Sequence, residues 1–261
     1  MLKELYTAAM GMLPQQTRME VIANNMANAN TAGFKRASVF ERNLIDARAN
    51  FYNTPGDAEQ NDPPIGSYID YSQGSYQQTD NPLDLAIDSQ NGFFMVEDAD
   101  GNKTLTRSGS FKMSEDGYLV TMEGKKIIGT NQEPIKVSED FYQSKLTADA
   151  AKSLNLSINT NGEISINEKY AGSIQVVDVK NLESLQQLST SDFIIRTDTE
   201  LEYRSPENTS IRQGWVENSN VNIVNEMVQM IELQRSFEVG SKVIQTNDGT
   251  LDQSIRLGRY Q

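Results

Sequence analysis

The chain predicts an α+β fold, with N- and C-terminal helices paired as a coiled-coil-like stalk around a mainly antiparallel β body. Three observations carry this. Apolar residues recur every seven positions near each end, the middle reads as short strands punctuated by Asp-Gly-type turns, and the net charge sits in that middle. Neither end can bury its apolar stripe alone, so the termini read as assembly elements. The expected division is 1–50 with 218–261 as a helical assembly domain, 51–71 as a connector and 72–217 as the β-rich body.

At the N-terminus Leu5, Met12, Met19 and Met26 fall seven apart, with Leu2, Ala9 and Ala23 at partner positions and Gln16 interrupting the series. Spacings of three and four place such residues on one helical face. Gly11 and Pro14 predict a kink or restart near residues 10–14, because proline removes a ladder donor and clashes with the preceding turn. Asn24, Asn25, Asn28 and Asn30, closed by Thr31-Ala-Gly33, predict the helix end between residues 28 and 33, since Asn and Gly tolerate left-handed backbone. Several successive amides suit a subunit contact, where each can both donate and accept.

Next comes a polar tract at 53–67, with Pro55, Gly56, Pro63, Pro64 and Gly66, which reads as a mobile connector. From Ser72 onward the pattern is antiparallel β. Leu83–Ile87 and Phe93–Val96 are strand-like, and Asp100-Gly101, Asp116-Gly117 and Glu123-Gly124 mark hairpin turns. Asp98, Asp100 and Asn102 resemble calcium ligands only superficially, because a helix–loop–helix site needs flanking helices and a twelfth-position Glu. Short strands continue at 154–158, 164–166, 173–179 and 193–195.

At the C-terminus Ile223, Met230, Phe237, Ile244 and Leu251 keep a strict seven-residue period. The adjoining series Met227, Gln234, Ser241, Asp248 drifts from apolar to polar, while Val224, Val228 and Ile231 widen the stripe over the first half. That width suits more than one neighbour. Asn218-Ser-Asn220 supplies N-cap residues for a helix of roughly 35 residues, about 50 Å long at 1.5 Å per residue. Its economical first partner is the N-terminal helix of the same chain.

Composition narrows the chemistry. The 261 residues include no Cys and no His, which excludes disulfides, thiolate chemistry, His-dependent triads and His-ligated metals. No cofactor, metal or catalytic constellation is expected. The net charge is −13, but residues 1–50 carry +2 and 217–261 carry −2, so 51–216 hold the whole excess. Such an acidic body argues against nucleic-acid binding. No window reads as a cleaved signal or a membrane span.

Several blocks resemble one family. Ala23-Asn-Asn-Met-Ala-Asn-Ala-Asn-Thr-Ala-Gly-Phe-Lys35 is similar to the N-terminal signature of bacterial flagellar rod, hook and hook-associated axial proteins. Gln73–Ile87, Thr106–Lys112 and Gln213–Asn222 resemble interior blocks of the rod proteins, and Met227–Glu238 with Lys242–Asp248 resembles their C-terminal helix. The blocks stand in family order along nearly the whole chain. Small departures are Met26 for the usual Leu, Ala32 for Pro or Thr, and Pro14 for Ala.

The resemblance implies a structural subunit of the flagellar basal-body rod, not an enzyme. Family members polymerise helically into a hollow axial tube, with terminal helices lining the channel and β domains outside. The implied partners are copies of the chain, other rod and hook axial proteins, and the flagellar type III export apparatus, through which members leave unprocessed for the periplasmic rod. The implied assembly signature is Asn24, Asn25, Asn28, Asn30, Gly33 and Phe34. Phe40-Glu-Arg-Asn-Leu44 matches the export-gate element, Phe40 and Leu44 being its apolar pair. The short span from Phe34 to Gly74 favours a proximal-rod over a distal-rod member, although the C-terminal block is equally close to the distal form. Two readings from other classes are a secreted adhesin or glycan-binding β module and a carboxylate hydrolase, which would need two juxtaposed acids in a cleft.

Overall fold

The computed structural model describes residues 2–41, 65–137, 156–166, 169–195, 202–203 and 210–258. The fold is α+β, with two long helices and antiparallel strand pairing. It divides into two compact units.

The first unit comprises Met1–Ala27, Arg36–Asp70 and Val221–Gln261. It contains helix α1 (Leu2–Ala27), strands β1 (Ala37–Glu41) and β2 (Ile65–Ile69), and helix α2 (Ile223–Gly258). Helix α1 is continuous through Pro14, so the predicted restart does not occur. Pro14 is buried, and packing of the helix outweighs the local cost of the lost ladder bond. The helix ends at Ala27, at the threshold of the Asn-rich turn.

Strands β1 and β2 pair in antiparallel register from Ala37 opposite Ile69 to Glu41 opposite Ile65. Residues 65–69 fall within the connector expected over 51–71. Although Gly66 lies within it, Ile65 and Ile69 bracket a run that completes a ladder with β1. Helix α2 begins one turn later than its expected cap. Asn222 caps it, its Oδ1 accepting from the Asn225 N–H at 3.1 Å. Asn218 and Asn220 are used otherwise: the Asn218 N–H donates to the Ser75 carbonyl, and the Asn220 amide to that of Ser72.

The second unit comprises Asn28–Lys35 and Tyr71–Asn220. The Asn-rich signature turn therefore belongs to the β unit rather than to the helices. Its strands are β3 (Tyr76–Gln78), β4 (Leu85–Ile87), β5 (Gly92–Glu97), β6 (Lys103–Thr106), β7 (Phe111–Met113), β8 (Leu119–Thr121) and β9 (Lys126–Ile127). They continue with β10 (Leu156–Ile158), β11 (Glu163–Ile166), β12 (Lys169–Ser173), β13 (Val176–Asp178), β14 (Leu185–Gln187), β15 (Asp192–Ile195), β16 (Glu202–Tyr203), β17 (Ile211–Gln213) and β18 (Trp215–Glu217). The largest sheet runs β14-β15-β6-β5-β9-β8-β7, with β13 joining β5 to β16. Smaller sheets are β10-β11-β12, β17-β4 and β18-β3.

Strand β5 organises the core. It pairs with β6 on one edge, while β13 and β9 share the other. Successive residues face opposite sides, so Phe94 meets Phe111 edge-on at 5.2 Å and Phe93 meets Phe193 at 5.7 Å. Burial on both faces explains the unbroken apolar run. The predicted hairpin turns occur where expected, with Gly101, Gly117 and Gly124 at φ of 84°, 80° and 90°. Asp98 closes the first of them by accepting from the Asp100 and Asn102 N–H groups at 2.9 Å.

Candidate assembly site

Four of the blocks singled out in the sequence converge on one buried ion cluster in the β unit. Gly33, Phe34 and Lys35 end the first block. Lys35 Nζ donates to Glu217 Oε1 at 2.7 Å and to the Ser72 carbonyl at 2.9 Å. Arg107 Nε donates to Glu217 Oε2 at 2.6 Å, and its remaining guanidinium nitrogens reach the carbonyls of Ile87, Ser89 and Gly92. The Gly74 N–H adds a third donor to the Glu217 carboxylate at 3.0 Å. Lys35 and Glu217 side chains are each 2% exposed and Arg107 is 1% exposed.

The electrostatics follow from this enclosure. Burial alone would raise the Glu217 carboxyl, but the Arg107 and then the Lys35 charge, with the Lys35 and Gly74 hydrogen bonds, hold it below its ordinary value. The backbone around the cluster is equally constrained. Gly33 has φ of 71°, and a Cβ there would lie 2.3 Å from the Ser108 nitrogen. The Gly33 N–H donates to the Glu217 carbonyl at 2.8 Å, and Phe34 beside it is 1% exposed. The chain from residue 28 to 35 is thus clamped by its main chain, its apolar ring and its charge.

In the helical unit, α1 and α2 run antiparallel and in contact. Met12 lies against Gly240, with its Cγ 3.6 Å from where a Cβ would stand, and the Gln15 amide donates to Ser236 Oγ at 3.0 Å. Further along, the Asn25 amide donates to Glu226 Oε2 at 3.2 Å. The seam residues Met12, Met19, Met26, Ile223, Met230, Phe237 and Ile244 are all half-buried. Leu5 and Leu251 lie on the same helices, but their side chains fall outside the described set.

The partner series differs from expectation. On α1 the inward line continues through Gln15 and Ile22, whereas Gln16 and Ala23 are exposed. On α2 it runs through Glu226, Leu233, Gly240 and Asn247, whereas Met227, Gln234 and Asp248 are exposed. Ser241, the remaining member of the expected series, is half-buried, so the line three residues after each heptad position is the more enclosed one but is joined by Ser241. On α2 apolar Met227 stands beside the buried Glu226, so hydrophobicity alone points to the wrong neighbour, whereas on α1 the buried position beside Ala23 is the apolar Ile22.

Asn25 is fully buried and works inside its own chain. Its side-chain amide donates to the Ala37 carbonyl at 2.8 Å, and its Oδ1 accepts from the Ala37 N–H at 3.0 Å. The amide thus supplies the end of β1 with the pairing a neighbouring strand would give. Glu226, also fully buried, receives Arg36 Nε at 2.6 Å, so α1, β1 and α2 are tied by one polar network. Beside it a groove of about 560 Å³ is lined by Val21, Ile22, Val39, Tyr68 and Leu233, with Arg18 and Arg36 among its polar residues.

Three family models match this chain. The flagellar basal-body rod protein model covers residues 5–35, the D1 domain of the flagellar hook protein FlgE/F/G covers 86–166, and the C-terminal domain of the basal-body rod FlgEFG proteins covers 212–257. The flagellar basal-body rod protein FlgG of Borreliella burgdorferi is 32% identical over 274 positions, spanning 99% of this chain and 100% of that one. The chain belongs to the flagellar basal-body rod protein family. FlgG of Bacillus subtilis is 30% identical across 99% of this chain and all of its own, and FlgG of Agrobacterium fabrum 34% identical across 95% and 96%.

Within this rod-family chain the first matched segment ends at Lys35, the last residue of the buried clamp. Of the signature residues, Gly33 and Phe34 are brought to the clamp and Asn25 to the α1–α2 network. Asn28 accepts from the Thr31 N–H through its carbonyl at 3.1 Å, shaping the turn, and Asn24 and Asn30 are exposed. Phe40 lies in β1 opposite Gly66, its side chain outside the described set, and Leu44 lies outside the described residues. Lys35, Arg107, Glu217, Arg36 and Glu226 were not singled out as a site from sequence. Their pairing across the chain leaves no local signal, although Lys35, Arg107 and Glu217 each lie within one of the blocks noted in the sequence. Among the described residues no helix is long and apolar enough to cross a membrane, and no cluster of three or more acidic residues is placed to hold a metal ion.

Proposed function

We propose that this chain is a structural, non-enzymatic subunit of the flagellar basal-body rod that assembles through the α1–α2 pair, acting as a coiled-coil-like element. The observation that supports this most is the helical unit itself. Its inward seam is satisfied by its own chain, yet α2 keeps Val224, Met227, Val228 and Ile231 exposed on the outside. A surface of this kind is maintained for a further neighbour. Copies of the chain and other rod and hook axial proteins are the partners, and the periplasmic rod of the basal body is the location. The short span between Phe34 and Gly74 favours the proximal over the distal position along it.

Passage through the flagellar type III export apparatus, without a cleaved signal, completes this reading, with Phe40 and Leu44 as the contact to the export gate. The reading is tested by deleting residues 221–261 from the chromosomal copy. The expected outcome is loss of rods and motility with the β unit still folded, since the cluster of Leu85, Phe94, Phe111, Ile127, Ile164 and Val176 is internal to it. Motile cells carrying normal rods would reject it.

A further inference from the structure

The largest sheet of the β unit turns its two faces to different surroundings around β7, β8 and β9. Leu119, Ile127, Ile135 and Val137 belong to the core cluster, so the alternating positions Tyr118, Val120, Lys126 and Lys136 point the other way. The ladder sets Lys112 opposite Val120, Val120 opposite Lys126, Lys126 opposite Glu97, and Glu97 opposite Lys103. At about 4.8 Å between strands this row spans about 19 Å. Tyr118 and Lys136, joined by an antiparallel bridge, stand beside it. Lys126 Nζ is 4.6 Å from the Tyr118 ring centroid and Lys136 Nζ is 5.9 Å from it. One ring thus gathers two ammonium groups, an arrangement that attracts an anion. We infer that this face binds a carboxylate-bearing glycan of the cell wall. The inference rests on the rod reading above for its location in the periplasm.

Two observations select a polyanionic glycan as the occupant. The first is charge. Residues 103–136 carry six bases and four acids, whereas the rest of 51–216 carries seven bases and twenty-two acids. The four acids, Glu115, Asp116, Glu123 and Glu133, lie in turns and bends between the strands, and Glu97 interrupts the basic row. Basic ground on an otherwise acidic body concentrates anions locally.

The second is the absence of an apolar centre. Val120 is buried, while Lys103, Lys112 and Lys136 are exposed around it. Met122 is exposed, but at the hairpin tip. Protein interfaces are built on apolar and aromatic centres and are depleted of lysine, so this face suits a protein partner poorly. Point charges on flexible lysine stems suit carboxylates spaced irregularly along a polymer.

The test incubates the full-length chain with protein-free sacculi, with sacculi whose carboxyl groups have been amidated, and with phosphatidylglycerol vesicles, and measures the bound fraction by co-sedimentation. The inference expects binding to untreated sacculi that is lost on amidation and at about 1 M salt, where the screening length is about 3 Å. Lys112→Gln with Lys126→Gln and Lys136→Gln should weaken binding on the order of tenfold. Lys169→Gln, at an exposed lysine on β12, should leave it unchanged. Native Trp215 fluorescence shows that the triple variant is folded, and the amidation arm needs no variant at all. Binding that survives amidation, or that the triple substitution leaves intact, would overturn the inference. Tighter binding to the vesicles than to the sacculi would overturn it in favour of a lipid surface. Chain present in basal bodies that does not bind sacculi would overturn it and leave the rod reading intact. Chain absent from basal bodies would overturn both.

Discussion

Glu217 holds two cations and a backbone amide while itself buried, so its ionisation is coupled to folding of the β unit. Its carboxyl lies below its ordinary value in the folded chain. The unfolded state therefore binds the proton more readily, and the cluster's contribution is present above the ordinary carboxylate pKa and lost as pH falls through the depressed folded value. Replacing Glu217 by Gln leaves Lys35 and Arg107 without a counter-charge and should cost about 3–5 kcal/mol at neutral pH. The same variant should flatten the acid limb of stability. The one tryptophan, Trp215, stands two residues away and its fluorescence reports both effects. Wild-type acid sensitivity retained in Glu217→Gln would contradict this account. At Gly33, Ala would meet both the positive φ and the Ser108 backbone, and the loss should exceed about 1 kcal/mol in the same assay.

At the scale of elements, the heptads were legible in the sequence and their exact faces were not. Ile223, Met230, Phe237 and Ile244, at one strict period, are half-buried along α2. The second line of each helix mixes apolar Ile22 and Leu233 with Gln15, Glu226 and Gly240, which carry no hydrophobic signal, so periodicity alone does not trace it. Glu226 is buried only because Asn25 and Arg36 meet it, a partnership across about 200 residues that no local pattern announces. The β turns were legible because Gly101, Gly117 and Gly124 need positive φ, a strictly local demand. Strand β2 was not, because its pairing with β1 is what makes it a strand.

Two expectations belong to the helices. Phe237 is half-buried, so Phe237→Ala should remove about 2 kcal/mol, less than a fully buried ring would. Denaturation followed by helical circular dichroism reads this, and an unchanged midpoint would argue that the seam is not formed in solution. Phe237→Asp should abolish motility while Trp215 fluorescence stays native. Amide exchange should be fast over α1 and α2 in the isolated subunit relative to β5 and β6, because each helix leaves much of its apolar surface uncovered until neighbours add to it. Protection in 12–27 and 223–250 equal to that of β5 would refute the point.

For the whole molecule, the sequence placed assembly elements at the termini and a charged body between them. The structure adds that residues 28–35 belong to that body, held by the Lys35–Glu217–Arg107 clamp. Export is a separate matter. Phe40→Ala with Leu44→Ala should leave protease-resistant subunit in the cytoplasm and little in the periplasm if the pair contacts the export gate. Normal periplasmic levels would dispose of that role. The central claim, that the chain is a building block of the rod, is tested most directly by immunogold electron microscopy of purified basal bodies with an antibody to the β unit. The account predicts gold along the rod segment. Structurally complete rods without label would contradict it.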